Sequence, residues 1–330
     1  MFRVGLIGCG SISAVHAQVL RELDDIQLAA CADILPERAE AAASRWDCAG
    51  YTDWRAMLDG ERLDAVHICA PHHLHPGMAD EAARRGIAVF TEKPPAIDAD
   101  GWELVKRAAA RVPVGVCFQN RYHPHIRACL GFLEEGTYGA LRGIRAFVTW
   151  NRTADYYAAA PWKGRWATEG GGALINQAIH TLDLIVGFLG KPDVAEASMG
   201  NRRLRGVIEV EDTAEIYLRR GNVPALLYAS NAYSQDAPVL LELHFEKAVV
   251  RLEGDVMTVM QDGKKQEIPC QTDPVIGRAY WGAGHRACIA DFYDCMRRGA
   301  AYRNAPSSCE DTMAVLLALY AQCAAALPRL

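Results

Sequence analysis

The stretch VGLIGCGSISAVHA, residues 4–17, constrains the fold of this chain more than any other: an apolar β-type run stops at Gly8 and Gly10 and gives way to a helical pattern. Gly8, Gly10 and Ser13 follow G-x-G-x-x-small. Glycines permit a tight turn and let a pyrophosphate approach the backbone, a small third residue lets helix and strand pack closely, and the helix N-terminus favours phosphate charge. Further short apolar runs follow at 26–32, 64–70, 87–92 and 112–118. Amphipathic segments at 14–23, 36–46 and 76–86 alternate with them. That alternation predicts βαβ units around a doubly wound parallel sheet with helices on both faces.

After residue 140 the character changes. Longer strand-like runs at 141–150, 213–220, 224–233, 239–246, 248–254 and 256–263 are separated by turn pairs: Gly-Asn at 221–222, Glu-Lys at 246–247 and Asp-Gly at 262–263. Helical pattern returns at 173–189, 278–298 and 308–326. The expected fold is α/β: an N-terminal Rossmann domain over residues 1–120, then an α+β domain over 121–330 with a large, mostly antiparallel open sheet. The 330 residues are 51% hydrophobic and 23% charged, enough for two domains with sizeable cores. A formal net charge of −5 gives no footprint for nucleic acid or an anionic membrane. No apolar run approaches the roughly 20 residues that span a bilayer. Eleven cysteines are scattered without a C-x-x-C pair, and no export signal is legible, so reduced thiols in a cytoplasmic protein are expected.

The fingerprint makes Gly8, Gly10, Ser11, Ile12 and Ser13 the candidate cofactor turn. The second apolar run ends on Asp33, placed for adenosine ribose hydroxyls and repulsive to a 2′-phosphate. NAD is therefore expected over NADP; Arg38 keeps NADP open. ICAPHHLHPG (68–77) reads as a loop at the carboxyl end of a strand, where doubly wound sheets bind ligands, with Pro71, His72 and His75 as cofactor contacts. His72, His73 and His75 are too close in sequence to converge readily on one ion, so no metal is expected. VFTEKPPA (89–96) puts Glu92 and Lys93 at another strand end; the lysine either faces the cofactor crevice or is a solvated turn residue. Gln119 and Arg121 leave the next strand toward nicotinamide or substrate.

Tyr156, Trp162 and Lys163 lie in an aromatic and cationic segment that either contacts sugar rings and oxygens or closes an interface. In GGGALINQAIHTLD (170–183), Asn176, His180 and Asp183 would stack along one face of a helix. Asp183 either orients His180 or packs. Tyr280 and His285 mark a further helix start, lining a cleft or capping the helix.

The G-x-G-x-x-small turn, the Pro71…His75 loop, Glu92-Lys93-Pro94 and the glycine run leading to His180 and Asp183 together resemble the Gfo/Idh/MocA oxidoreductases, over essentially the whole length. The resemblance implies NAD(P)-linked hydride transfer at a hydroxyl or carbonyl carbon of a sugar, sugar derivative or cyclitol. It implies Lys93 and His180 as catalytic residues, a cis Lys93–Pro94 bond aiming the lysine at the nicotinamide, and a homodimer or homotetramer formed through the C-terminal sheet. Asn176 departs from the inositol-dehydrogenase-like pattern, which has Asp there. NQAIH looks more like the branch acting on nucleotide-linked or derivatised sugars. Asn can hold a substrate hydroxyl but cannot stabilise an imidazolium by charge. Two other functions stay open: a redox-cycling enzyme that retains its NAD, and a silent NAD-binding sensor.

The position of Asp33 carries a test. NAD should bind more tightly than NADP, and Asp33→Ser should narrow the difference; a preference of about tenfold for NADP in fluorescence titrations of the parent protein would exclude the role given to Asp33.

Overall fold

The computed structural model describes residues 1–269 and 283–323. Among them the chain divides into two compact units: Met1–Tyr122 with the described part of Asp273–Cys309, and His123–Thr272 with the described part of Glu310–Leu330.

The first unit runs β1 (Phe2–Ile7), α1 (Ser13–Glu22), β2 (Ile26–Ala32), α2 (Pro36–Trp46), β3 (Ala49–Tyr51), α3 (Trp54–Gly60), β4 (Ala65–Ile68), α4 (His75–Arg84), β5 (Ala88–Thr91), α5 (Ala99–Ala109) and β6 (Val114–Val116). Its strands lie in the order β3-β2-β1-β4-β5-β6, and every pairing is parallel. This is the doubly wound Rossmann sheet that the sequence predicts. The order reverses between β1 and β4, so the loops leaving their carboxyl ends flank the crevice where such sheets hold ligands. β4 and β5 are buried along their full length, as strands covered on both faces must be.

The second unit opens with α6 (Pro124–Glu134), β7 (Leu141–Thr149), α7 (Ala154–Ala158) and α8 (Ile179–Leu189). Then come β8 (Val194–Gly200), β9 (Thr213–Arg220), β10 (Val223–Ser230), β11 (Leu240–Phe245), β12 (Val249–Glu253), β13 (Val256–Gln261) and β14 (Lys264–Pro269). Eight strands form one open sheet, β14-β13-β12-β11-β7-β10-β9-β8, antiparallel except for the β7–β10 pair. Along β7, Ile144, Ala146 and Val148 are buried while Arg145 and Phe147 are exposed, so one face is covered and the other open. All three predicted hairpin turns are present. At Asp262-Gly263 both residues have positive φ, 52° and 73°, the geometry that suits a two-residue connection between twisted strands.

The last two helices are α9 (His285–Arg298) and α10 (Pro306–Cys323). The chain returns to the first unit in α9, which packs on α1 and completes that unit's core. Phe292 and Tyr293 are fully buried there, and the Phe292 ring centroid lies 5.3 Å from that of Phe90. Gly115 has no room for a side chain because a Cβ would stand 2.8 Å from the rings of Phe292 and Tyr302. Among the described residues no helix is long and apolar enough to cross a membrane.

If α9 is part of this core, Phe292→Ala should destabilise the first unit by about 3–5 kcal/mol. Urea-dependent hydrogen exchange at the β4 and β5 amides should report the loss; unchanged protection there would make α9 an independent appendage.

Candidate active site

In the first unit the glycine turn links β1 to α1. Gly8 has φ +90°, and a Cβ there would stand 2.6 Å from the Cys69 carbonyl oxygen, so close backbone approach and the left-handed conformation both require glycine. A Cβ on Gly10 would meet nothing within 4 Å, which leaves that backbone open to approach. Ser11 is exposed, Ile12 precedes the first helical residue, and Ser13 is buried and donates to the Gly10 carbonyl at 2.5 Å. Asp33 ties the turn together: its carboxylate accepts from Cys9 N–H at 2.8 Å and Leu35 N–H at 3.0 Å. Each oxygen keeps a further lone pair for a ribose hydroxyl. Arg38 is exposed on α2. An open turn at a helix N-terminus with an acid at the next strand end fits a dinucleotide.

The β4 and β5 loops lie at the adjoining strand ends. His72 and His75 are buried and Pro71 is partly exposed. The ring nitrogens of His75 sit 2.8 Å from the Pro94 carbonyl and 2.7 Å from the Ala70 carbonyl, so this histidine staples the two loops together. Burial keeps its pKa below the ordinary value although both carbonyls favour the charged form. The Lys93–Pro94 bond is cis. Glu92 is buried while Lys93 is partly exposed beside it. One Glu92 oxygen accepts from His16 Nε2 at 2.9 Å, the other from Lys93 N–H at 3.2 Å. Burial by itself would raise this carboxyl. The hydrogen bond from His16, with the charges of His285 and Lys93, holds it well below the usual carboxylate range.

Among the described residues the one grouping of metal-ligand type is His16, Glu92 and Cys117, and both nitrogens of His16 are already engaged in hydrogen bonds. Gln119 is buried in the same unit. Arg121 is directed to α10: its guanidinium donates to Ser308 Oγ at 2.9 Å and to the Ser308 carbonyl at 3.1 Å. His285 opens α9 and is buried close enough to lower Glu92, whereas Tyr280 lies outside the described residues.

In the second unit the glycine run leads into helix, but one expectation is corrected. Residues Ala173–Ala178 form a wider π-type turn before α8 begins, so Asn176 stands in that turn and not in the one α-helix expected to carry it with His180 and Asp183. The buried carboxylate of Glu211 caps the first amides of this turn, which have no partners within the helix. It accepts from Gly172 N–H at 2.9 Å, Leu174 N–H at 3.0 Å and Tyr320 Oη at 2.8 Å, while Tyr320 Oη accepts from Ile175 N–H at 3.1 Å. A Cβ on Gly172 would overlap the Glu211 carbonyl oxygen. Asn176 and His180 are the two partly exposed residues in an otherwise buried run. Asp183 is buried and accepts from Thr312 Oγ1 at 2.8 Å.

Glu169, directly before the glycines, was not among the residues singled out from the sequence. It accepts from Asn176 Nδ2 at 2.5 Å and from Gly164 N–H. Asn176 thus has a carboxyl neighbour after all. Burial pushes Glu169 up to about 7, opposed by the Gly164 and Asn176 hydrogen bonds and reinforced by Glu211. Burial likewise takes Glu211 up to about 7 against its own donors.

Around this pair the aromatic segment closes in. Lys163 Nζ stands 3.7 Å from the Tyr156 ring centroid and 5.7 Å from that of Trp162, and the Arg152 guanidinium is 5.3 Å from Tyr156 on its own side. Gln177 donates to Tyr156 Oη at 3.3 Å. Asn176, Tyr156, Trp162 and Lys163 therefore gather within this unit.

A carboxyl raised by folding holds its proton where the unfolded chain, at the ordinary 4.5, has lost it. The contribution of Glu169 and Glu211 to stability is thus fully present below about pH 4.5 and lost as pH rises through about 7. Glu169→Gln should gain stability relative to the parent as pH rises from about 5 to about 8, because His67 and His75 titrate alike in both proteins. Urea midpoints at intervals across that window check this; a constant difference would show that Glu169 ionises normally.

These features can be set beside known proteins. A family model described as "Oxidoreductase family, NAD-binding Rossmann fold" matches residues 2–119, and one described as "GFO/IDH/MocA C-terminal domain" matches residues 126–251. The chain is 27% identical over 259 residues to an inositol 2-dehydrogenase of Rhizobium meliloti, covering 76% of this chain and 75% of that one. It is 29% identical over 265 residues to a D-apiose dehydrogenase of Paraburkholderia graminis, covering 77% and 68% respectively. The crystal structure of the WlbA dehydrogenase from Bordetella pertussis, in complex with NADH and UDP-GlcNAcA, superposes with a TM-score of 0.85 at 27% identity, over 100% of this chain and 99% of that one. The chain belongs to the Gfo/Idh/MocA family and is an NAD-binding oxidoreductase.

Proposed function

We propose that this protein transfers a hydride between NAD and a hydroxyl-bearing or carbonyl carbon of a sugar, sugar derivative or cyclitol. The observation that carries the reading is that each unit holds one prepared site. One is an open glycine turn with Asp33 and the Glu92-Lys93 strand end. The other is the partly exposed pair Asn176 and His180, bordered by Tyr156, Trp162 and Lys163. In this reading residues 1–120 hold the cofactor, and residues 121–330, apart from the stretch that returns to the first unit in α9, hold the substrate and form the oligomer.

NAD supplies the hydride acceptor. Gly8, Gly10, Ser11, Ile12 and Ser13 receive its phosphates, and Asp33 its ribose hydroxyls. In oxidation His180 takes the substrate hydroxyl proton, and Lys93 stabilises the negative charge that develops on the same oxygen. Asn176 orients the substrate through its amide, and Tyr156 and Trp162 offer faces to a sugar ring. Lys163 is a cation placed for an acidic or phosphorylated substituent. The WlbA ligand, a nucleotide-linked acidic sugar, supports such a derivatised substrate, while the inositol and apiose dehydrogenases support the wider polyol class.

The assembly proposed is a homodimer or homotetramer through the open face of the second-unit sheet, where Phe147 and Leu226 are 42% and 54% exposed. A reducing, cytoplasmic setting is proposed from buried free thiols such as Cys31, Cys69 and Cys117.

A spectrophotometric screen of sugars, cyclitols and nucleotide sugars with NAD tests the reading; NADH that forms and stays bound would indicate redox cycling instead. On the best substrate, Lys93→Ala should bind NAD normally and lose about 10²–10³ in kcat. His180→Asn should remove the acid limb of the kcat/KM profile for oxidation together with most activity. Near-parental turnover in Lys93→Ala, or an acid limb surviving in His180→Asn, defeats the assignment.

A further inference from the structure

Behind Glu92 lies a run of buried polar groups that hydride transfer does not call for. His16 on α1 is 2.9 Å from Glu92 Oε1 through Nε2, and its Nδ1 is 2.8 Å from Nδ1 of His67 on β4. His67 Nε2 is in turn 2.8 Å from Tyr293 Oη on α9. His16, His67 and Tyr293 are wholly inaccessible to solvent. We propose that His67 is a positioning residue: through His16 it holds Glu92 as an oriented carboxylate beside Lys93.

Proton counting sets the direction of the chain. Each of the three contacts needs one donor hydrogen and one acceptor lone pair. A carboxylate can only accept, so His16 carries its proton on Nε2 and presents a bare Nδ1. His67 must then carry its proton on Nδ1 and accept at Nε2 from the Tyr293 hydroxyl. Three protons fill three bonds, all pointing toward Glu92, and both imidazoles are neutral. In the opposite sense Tyr293 would have to give its hydroxyl proton elsewhere, and among the described residues it has no second acceptor.

The surroundings agree with neutral rings. Burial takes His67 well below the ordinary histidine value, against the charge of Glu92. Burial takes the Tyr293 hydroxyl well above its ordinary value, with Asp64 and Asp25 adding to it, so it stays a donor. The groups facing Glu92 are His16 from α1, His285 from α9 and Lys93 beside it; Cys69, Cys117, His67 and His75 also feel its charge.

Glu92 fixes the tautomer of His16, and His67 fills the remaining Nδ1 lone pair and so fixes the orientation of the ring. Without the His67 donor, His16 Nδ1 is left without its hydrogen-bond partner in a buried pocket, and the ring is held through Nε2 alone. The Nε2–H bond to Glu92 Oε1 then loses its alignment, and with it part of what orients the carboxylate beside the Lys93 amide. The peptide from which the Lys93 side chain departs would be less firmly held. The ring of His67 is otherwise packed like an aromatic residue, stacked on Phe90 at 4.8 Å and on Tyr293 at 5.9 Å. His67→Phe accordingly deletes the hydrogen bonds while keeping most of the stack. His67→Gln restores one donor and one acceptor.

The kinetic arm rests on the catalytic reading of Lys93; the spectroscopic arm does not. In full-length protein saturated with NAD and labelled with ring-15N histidine, His16 should show a pyrrole-type Nε2 and a pyridine-type Nδ1. His67 should show the reverse and should not titrate between about pH 6 and about pH 8. His67→Phe should keep the His16 proton on Nε2 but shift its Nδ1 resonance toward that of an unbonded pyridine-type nitrogen and leave NAD affinity within about twofold, while kcat falls between about tenfold and about a hundredfold. His67→Gln should recover both signals. Tyr293→Phe, which only removes a hydroxyl, should move the His67 Nε2 resonance and stands in should His67→Phe fail to fold. Doubly protonated His16, the opposite tautomers, or a parental kcat in folded His67→Phe would overturn the proposal. If instead Lys93→Ala turns over normally while the tautomers are as described, the role of Lys93 fails and the histidine chain stands.

Discussion

A carboxylate removed from water is tolerated only where hydrogen-bond donors surround it, and three buried glutamates impose that demand on the segments that matter most here. Glu92 draws in His16 and the Lys93 amide, and so shapes the end of β5. Glu211 collects the amides of Gly172 and Leu174 and the hydroxyl of Tyr320, and so caps the first turn ahead of α8. Glu169 holds the Asn176 amide and thereby fixes the partly exposed residue of that turn. In each case the site residue is placed by an acid beneath it. These acids cost stability by their burial, and the polar groups they gather make the local conformation singular.

Much of the fold was legible because its rules are local. The glycine turn, the buried β4 and β5 runs and the three hairpin turns each carry their instruction within a few neighbouring residues. β14 was not legible. Five of its six residues are exposed, so nothing alternates along KKQEIP, and only the Asp-Gly turn before it hints at a strand. β8 is another edge strand, rich in small residues, with a single buried position. The π-type turn escaped for a different reason. GGGALINQ has ordinary helical spacing, and the groups that cap its first amides, Glu211 and Tyr320, lie far along the chain.

The candidate site divides in the same way. Gly8, Asp33, Lys93 and His180 could be found from spacing, because a strand end or a helix register exposes them. Glu169 had a visible signal, an acid directly before three glycines, but its significance depends on the Asn176 amide coming within reach. The pairing of His16, His67 and Tyr293 had none, since the three lie on α1, β4 and α9 and each is ordinary in its own segment. Arg121 shows the converse: a cation leaving a strand end looked free for a ligand, and α10 supplies Ser308 to hold it.

The return of α9 to the first unit bears on the order in which this protein can be made. A ribosome releases β1 to β6 well before Phe292 and Tyr293 exist, and those two side chains fill the centre of that same core. Until they emerge, Phe90 and the neighbouring strand residues lack the rings that cover them, while the whole eight-stranded sheet is synthesised in between. The nascent N-terminal segment is then an unfinished α/β layer with apolar surface open, the kind of species that chaperones bind and that aggregates when crowded. Its completion waits on the far end of the chain.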